Sequence, residues 1–193
     1  MTTRGPYAKG LAKREEILDT ALEQFARHGY DRTSVREIAR QAGLSQAGLL
    51  HHFSTKEELF LEVLRRRDDR ATVPDEFDHT HSVGRLMGAV ERNAGEPGLV
   101  RLFVSMSAES IEGEGVAHGF FVERYRWLID EIAQDIRVQQ EAGELTSAIE
   151  PKEAASLLVA AADGLQLQWL LDPGSVDMAS LMSRLWGILK RVV

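Results

Sequence analysis

The chain has 193 residues, 44% of them hydrophobic and 27% charged, with a formal net charge of −7 and no cysteine. That length and apolar share are enough to bury a sizeable core as one domain or two small ones, and they exclude a wholly disordered chain. The lack of cysteine excludes disulfides and thiolate metal sites.

No run of about 18 uncharged apolar residues occurs, so no membrane span is expected. The start MTTRGPYAKG is polar and basic with no apolar segment behind it, so no signal peptide is expected and the cytoplasm is the expected location. A net negative chain should repel phosphate, yet the charge is uneven. Residues 1–70 hold 13 Lys and Arg against 11 Asp and Glu, whereas residues 71–193 hold 10 against 19. Basic character lies at the amino end, and the remainder is acidic.

Residues 11–28, LAKREEILDTALEQFARH, place Ile17, Leu18, Ala21, Leu22, Phe25 and Ala26 on one stripe of a 3.6-period helix, with Gly29 as its stop. Ser34 with Glu37 reads as a capping box for a second helix that carries Val35, Ile38, Ala39 and Ala42 on one face and ends at Gly43. Ser45 caps a third helix of about two turns. Ser54 with Glu57 repeats the box for a fourth, which carries Leu59, Phe60, Val63 and Leu64. After Pro74 further helices are predicted near 78–94, 98–111, 118–142, 152–171 and 176–191, separated by Gly and Pro clusters. The fold class is all-α with about nine helices.

A short helix, a turn at Ala42-Gly43-Leu44 and a second short helix with a small, polar exposed face form a helix-turn-helix pattern. A helix that enters a major groove about 12 Å wide needs small or hydrogen-bonding residues near its N-terminus, and Gln46, Ala47 and Gly48 meet that need. Leu49 and Phe53, four apart, are expected to face inward. His51, His52 and Lys56 lie further along, where donors reach phosphate oxygens.

The segment TSVREIARQAGLSQAGLLHHFSTKEELF, residues 33–60, resembles the DNA-binding signature of the TetR family of bacterial transcriptional repressors. The resemblance is close over residues 11–60 and continues in helix count and length beyond. It implies a homodimer on a palindromic, double-stranded DNA operator, released when a small-molecule effector enters the C-terminal domain. It implies a helix-turn-helix domain at residues 1–56 and an effector-binding and dimerisation domain at residues 57–193. The DNA-facing set would be Ser34, Arg36, Ser45, Gln46, Ala47, Gly48, Leu50, His51, His52 and Lys56, with Arg36 and Gln46 at base edges and Ser34, His51, His52 and Lys56 on the backbone. Two positions depart from the family pattern: Ala47-Gly48 replaces a usual Gly then Thr or Ser, and Leu50 replaces a usual Tyr, which removes one phosphate donor. Gly48 also weakens its helix by about 1 kcal/mol relative to Ala.

Other uses of these residues stay open. Arg36 suits a pair with a nearby carboxylate, His51 and His52 suit an ordinary surface, and Arg4, Lys9 and Lys13 suit either a phosphate-touching arm or a plain tail. Adjacent helical histidines point about 100° apart, which counts against a shared metal. An all-α metal-dependent enzyme is one alternative, since Asp75, Glu76, Asp78, His79 and His81 are metal-binding types, although acids are also favoured at a helix start. No nucleophile elbow, phosphate-binding glycine loop or HExxH occurs, so neither an enzyme nor a cofactor or metal site is expected. A protein-binding helical adaptor is the other alternative.

For the effector, Phe103, Met106, Phe120, Phe121, Tyr125, Trp127 and Trp169 offer walls, and Ser105, Ser107, Glu109, His118 and Gln168 offer polar groups. Of these, Phe103, Met106, Ser107, Phe120, Phe121, Trp127 and Trp169 are the expected contacts. The run Leu157 to Ala162 is apolar on every side, and Leu181, Leu185, Trp186, Ile188 and Leu189 follow, so the last two helices are the expected homodimer face.

Overall fold

The computed structural model describes residues 6–30, 32–70, 82–112 and 116–191. Over these residues the chain is helical without a strand, in the order α1 (Pro6–His28), α2 (Val35–Gln41), α3 (Gln46–His52), α4 (Lys56–Arg70), α5 (Ser82–Asn93), α6 (Pro97–Glu109), α7 (Val116–Glu141), α8 (Pro151–Leu171) and α9 (Met178–Arg191). A short 3-10 turn, Ser110–Glu112, follows α6. The all-α class and the helix-turn-helix at the amino end are as the sequence predicts. Helix α1 starts before the predicted residue 11 and runs through Gly10, although an interior glycine costs about 1 kcal/mol.

The helix ends show how local sequence sets the turns. At the end of α2, Gly43 takes a φ of +66°, its N–H bonds Arg40 O at 3.2 Å, and the Leu44 N–H reaches back to Ala39 O at 2.8 Å. This is a Schellman closure, and the left-handed backbone is the reason a glycine stands there. Ser34 caps α2 by accepting from the Glu37 N–H at 3.1 Å. The Glu37 carboxylate does not return to Ser34; it accepts from Arg40 and Gln41 instead, so only half of the expected box forms.

The box at α4 sits one residue later than its sequence suggests. Thr55 Oγ1 accepts from the Glu58 N–H at 2.9 Å, and Glu58 Oε2 accepts from the Ser54 N–H at 2.7 Å. Glu57 is thereby released to accept from the Ala117 N–H at the start of α7, at 3.2 Å. Two T/S-x-x-E alignments overlap here, and the helix start at Lys56 selects the second.

Two hydrophobic cores organise the molecule. The first joins α1 to α4 with α6 and the start of α7; its largest members, Phe25, Phe53 and Phe60, are fully buried, at about 1.5–3 kcal/mol each. The second joins α5, α7, α8 and α9 around Ile132, Ile136, Leu158 and Met182. Because Leu99, Leu102, Phe103 and Met106 of α6 belong to the first core, the amino-terminal helices share their interior with the rest of the chain. At this joint Gly98 of α6 lies so close to α1 that a Cβ would stand 2.4 Å from Ala26 O. Helix α8 is long and apolar enough to span a membrane by length and composition alone, at a mean hydropathy of 1.3, and it packs against α6, α7 and α9.

Candidate nucleic-acid interface and effector cavity

Helix α3 is held by its inward residues. Leu49 and Phe53 are fully buried, and Phe53 carries the Arg14 guanidinium over its ring at 4.6 Å. Arg14 also bonds Glu62 of α4 at 2.6 Å, which ties α1, α3 and α4 together. Burial raises the Glu62 pKa, but hydrogen bonds from Arg14 and Arg65 outweigh it and hold the carboxyl below its ordinary value. Phe25, Tyr30 and Phe60 pack edge-on or tilted, with centroids 5.2 to 5.7 Å apart, beneath the same helices. Gln24 Nε2 donates to Gln41 at 2.8 Å and Gln41 donates to Glu37 at 2.9 Å, fixing α2 on α1. Lys13 donates to Ala42 O at 2.5 Å and pairs with Glu16, so it closes the end of α2 rather than extending an outer arm. Arg4 lies outside the described residues.

The DNA-facing candidates are mostly on one exposed surface. Ser45 caps α3 by accepting from the Gly48 N–H at 3.0 Å, and Gln46 and Ala47 stand exposed in the first turn. Gly48 is half-buried; a Cβ there would lie 3.3 Å from Ser45 Oγ and against Leu44, so its missing side chain faces the turn. Leu50 and His51 are exposed, and His52 is half-buried with its ring 5.9 Å from that of His51. Ser34 is exposed while serving as the α2 cap. Arg36 is exposed and makes no hydrogen bond or ion pair with the described residues, whereas Arg40, one turn on, is held by Glu37 at 2.5 Å. Those bonds, from Arg40 first and Gln41 next, lower the Glu37 pKa to about 2. Lys56 is half-buried, its ammonium 4.1 Å above the Tyr30 ring. Sequence alone gives no hint of that last contact, because Tyr30 belongs to the turn after α1.

Behind this surface lies a cavity of about 110 Å³. Its wall draws Leu18 and Leu22 from α1, Val63 and Arg66 from α4, Leu86 to Asn93 positions from α5, Leu99 and Phe103 from α6, Arg124 and Leu128 from α7, and Val159 to Gln166 positions from α8. Phe103 is the one expected contact that lines it. Met106 is buried in the first core, and Ser107 Oγ donates to Val104 O at 3.0 Å. Phe121 stacks edge-on with Phe103 and with Phe120, a layer behind the wall. Arg124 and Leu128 share the inner face of α7, so Trp127, about 100° round from Leu128, is 56% exposed. Trp169 packs, partly buried, on the second core.

Polar groups in the wall are engaged in specific ways. Tyr125 donates to Asp163 at 2.6 Å across α7 and α8, and burial, then the Asp163 charge, push the phenol pKa up. The Arg124 guanidinium lies 5.0 Å over Phe103. Arg66 pairs with Glu15 and Asp19 of α1. The missed wall residues come from six helices, and no sequence spacing links them. Asp75, Glu76, Asp78, His79 and His81 lie outside the described residues, among which no group of three His, Asp or Glu is placed to hold a metal.

A family model described as bacterial regulatory proteins, tetR family, matches residues 17–63. A second, described as the C-terminal part of BetI-type transcriptional repressors, matches residues 85–186. Over 181 residues the chain is 26% identical to the A-factor receptor protein of Streptomyces griseus, covering 93% of this chain and 63% of that protein. It therefore spans less than two thirds of that relative's length. A transcriptional regulator from Saccharomonospora viridis, solved in complex with choline, superposes with a TM-score of 0.71 at 26% identity, covering 93% of this chain and 96% of the other. GusR of Salmonella enterica gives a TM-score of 0.72 at 24% identity, with 97% and 98% covered, a likeness of fold.

Proposed function

The chain belongs to the TetR family of bacterial regulatory proteins, and from that membership we propose a ligand-responsive repressor that binds a palindromic operator as a homodimer in the cytoplasm. Residues 1–56 carry the DNA contacts, and residues 57–193 carry the second-subunit contacts and most of the effector site, to which α1 adds Leu18 and Leu22. Membership favours this reading over a metal-dependent enzyme or a protein-binding adaptor.

One observation carries the regulatory part. The cavity wall includes Leu18 and Leu22 of α1 and Val63 and Arg66 of α4, the two helices on which α2 and α3 are mounted. A ligand in the cavity touches the supports of the recognition helix directly, so its differential affinity for two arrangements of those supports becomes a change in operator affinity. At the DNA surface Gln46 and Arg36, which has no partner among the described residues, read base edges, while Ser34, Ser45, His51, His52 and Lys56 hold phosphates, and Ala47, Gly48 and Leu50 pack close to the groove.

The dimer face is the outer side of the last two helices. Leu157, Leu167 and Leu171 of α8 and Leu181 and Ile188 of α9 are exposed while their neighbours Leu158, Val159 and Met182 fill the core. Pairing two copies covers this apolar surface and sets two recognition helices at about 34–36 Å or a multiple of it.

Selection of bound duplexes from a random library, followed by a paired titration, tests the reading. A palindromic site is expected, and effector and operator should weaken each other by the same factor. Light scattering should give twice 21.5 kDa, falling to one copy in Leu157→Glu/Ile188→Glu. A concentration-independent monomer, or a site without symmetry, sinks the dimeric reading.

A further inference from the structure

We propose that the cavity takes a small neutral molecule, an apolar body bearing one hydroxyl that donates to the side-chain oxygen of Gln166. The proposal rests on the effector reading above and names the chemistry of that site.

Helix α8 supplies the first observation. Val159, Ala162, Asp163 and Gln166 line the cavity at the i, i+3, i+4 and i+7 spacing of one helix face. Apolar residues are the rule on such a face, and Asp163 and Gln166 are its two polar members. Asp163 accepts the Tyr125 hydroxyl at 2.6 Å. Gln166 is 6% exposed, and no donor among the described residues reaches its buried Oε1. Buried polar atoms are normally bonded, so an orphaned acceptor in a cavity wall points to a donor that the protein does not itself supply. The soft terminal torsion of a glutamine lets the amide turn its oxygen toward the space. A hydroxyl both donates and accepts, so it suits either end of the amide.

The charged groups of the wall leave no place for an ion. Arg66 is held by Glu15 and Asp19, the Arg124 guanidinium lies 5.0 Å over the Phe103 ring, and Arg92 is engaged by a partner of its own. Glu96 is exposed, where water and salt screen it. An entering carboxylate finds the guanidinium donors taken. An entering ammonium finds Asp163 already bonded, and Phe103, the one aromatic residue in the wall among the described residues, already beneath a cation. Burying a charge without a partner costs far more than one hydrogen bond returns, so the occupant is neutral.

The cavity volume of about 110 Å³ sets the scale. An apolar cavity of about 150 Å³ holds benzene, so this one suits a molecule of about five heavy atoms. Sites for drug-sized ligands run to roughly 300–1,000 Å³.

Titration of the full-length, isotope-labelled protein with 1-butanol, its isomer methyl propyl ether, butylammonium and butyrate, followed by nuclear magnetic resonance, tests the proposal. The ether keeps the size and the oxygen but has no donor. 1-Butanol should bind at least about fivefold more tightly than each of the other three, the scale of one net hydrogen bond, and should shift the side-chain amide resonances of Gln166. Gln166→Met keeps the side-chain length and removes the amide, so it should erase the preference over the ether while leaving ether binding within about twofold. A smaller preference in the parent protein, tighter binding of either ion, or no binding of 1-butanol overturns the proposal without any use of the variant. A preference that survives in Gln166→Met overturns the role of its oxygen. Retention of duplex DNA, measured in parallel, separates this proposal from the regulatory one. Selective binding of 1-butanol with unchanged retention supports the ligand class and contradicts the coupling; an ion that binds in its place and releases DNA does the reverse.

Discussion

Arg66 on α4 reaches Asp19 on α1, Nη2 to Oδ1 at 3.0 Å, while its Nε lies 3.3 Å from Glu15. The same side chain forms part of the cavity wall. A single residue thus joins the effector space to the α1–α4 contact beneath the recognition helix. Such partly exposed pairs contribute about 0–1 kcal/mol each, so Arg66→Met, which removes two of them, should lower the melting temperature by roughly 4–8 °C at most. Its larger effect should fall on coupling, changing by about 0.5–2 kcal/mol the free energy that links effector and operator. Operator titrations with and without effector measure this, and an unchanged coupling removes Arg66 from the switch.

The recognition surface makes a sharper distinction. Gln46→Ala should cost about 1–3 kcal/mol on the preferred site and little on random DNA. Lys56→Ala should weaken every sequence and reduce the salt slope by about one. It also loses the contact over Tyr30, worth about 0.5–1 kcal/mol at a partly exposed site, so a small fall in stability accompanies it. Equal losses on specific and random DNA for both variants would falsify these roles.

At the joint of α1 and α6, Gly98→Ala puts a Cβ where Ala26 O and Cβ stand 2.4 and 2.7 Å away. Ala26 O and, at 2.8 Å, Ala26 C are backbone atoms, so the helices must part. Overpacking of this kind costs about 1–3 kcal/mol. Urea denaturation should register that loss, even though alanine is the better helix former by about 1 kcal/mol. A variant as stable as the parent would mean that α6 moves freely over α1.

Acid should loosen the α1–α4 contact through Glu62. Its folded pKa is lowered, so its contribution is complete above the ordinary carboxylate value of 4.5 and is lost as pH falls through the folded value. Glu37, at about 2, follows the same sign. Glu62→Gln should destabilise the protein by about 1–3 kcal/mol at pH 7, and the two stability curves should converge below pH 4.5. A gap independent of pH would show that Arg14 and Arg65 gain nothing from the carboxylate charge.

Sequence by itself determined the helices, because their signals are local. The stripe from Ile17 to Ala26, the cap at Ser34 and the glycine at Gly43 each act within a turn or two, and each appears where expected. The helix-turn-helix was legible for the same reason, as was the exposure of Gln46 and Ala47, which follows from burying Leu49 and Phe53 on the opposite face.

Tertiary structure alone decided which overlapping capping box forms at Thr55, what Lys13 does, and where the cavity lies. Lys13 closes α2 because Ala42 comes to rest beside it across 29 positions of sequence. The cavity depends on residues from six helices, from Leu18 to Gln166, whose distances are set by packing and not by spacing along any one of them. Aromatic richness pointed to Trp127 and Trp169, but helical phase turns Trp127 to the outside and Trp169 packs on the second core, away from the cavity wall. A pocket is the space that several helices fail to fill, and its shape exists only once all of them have docked.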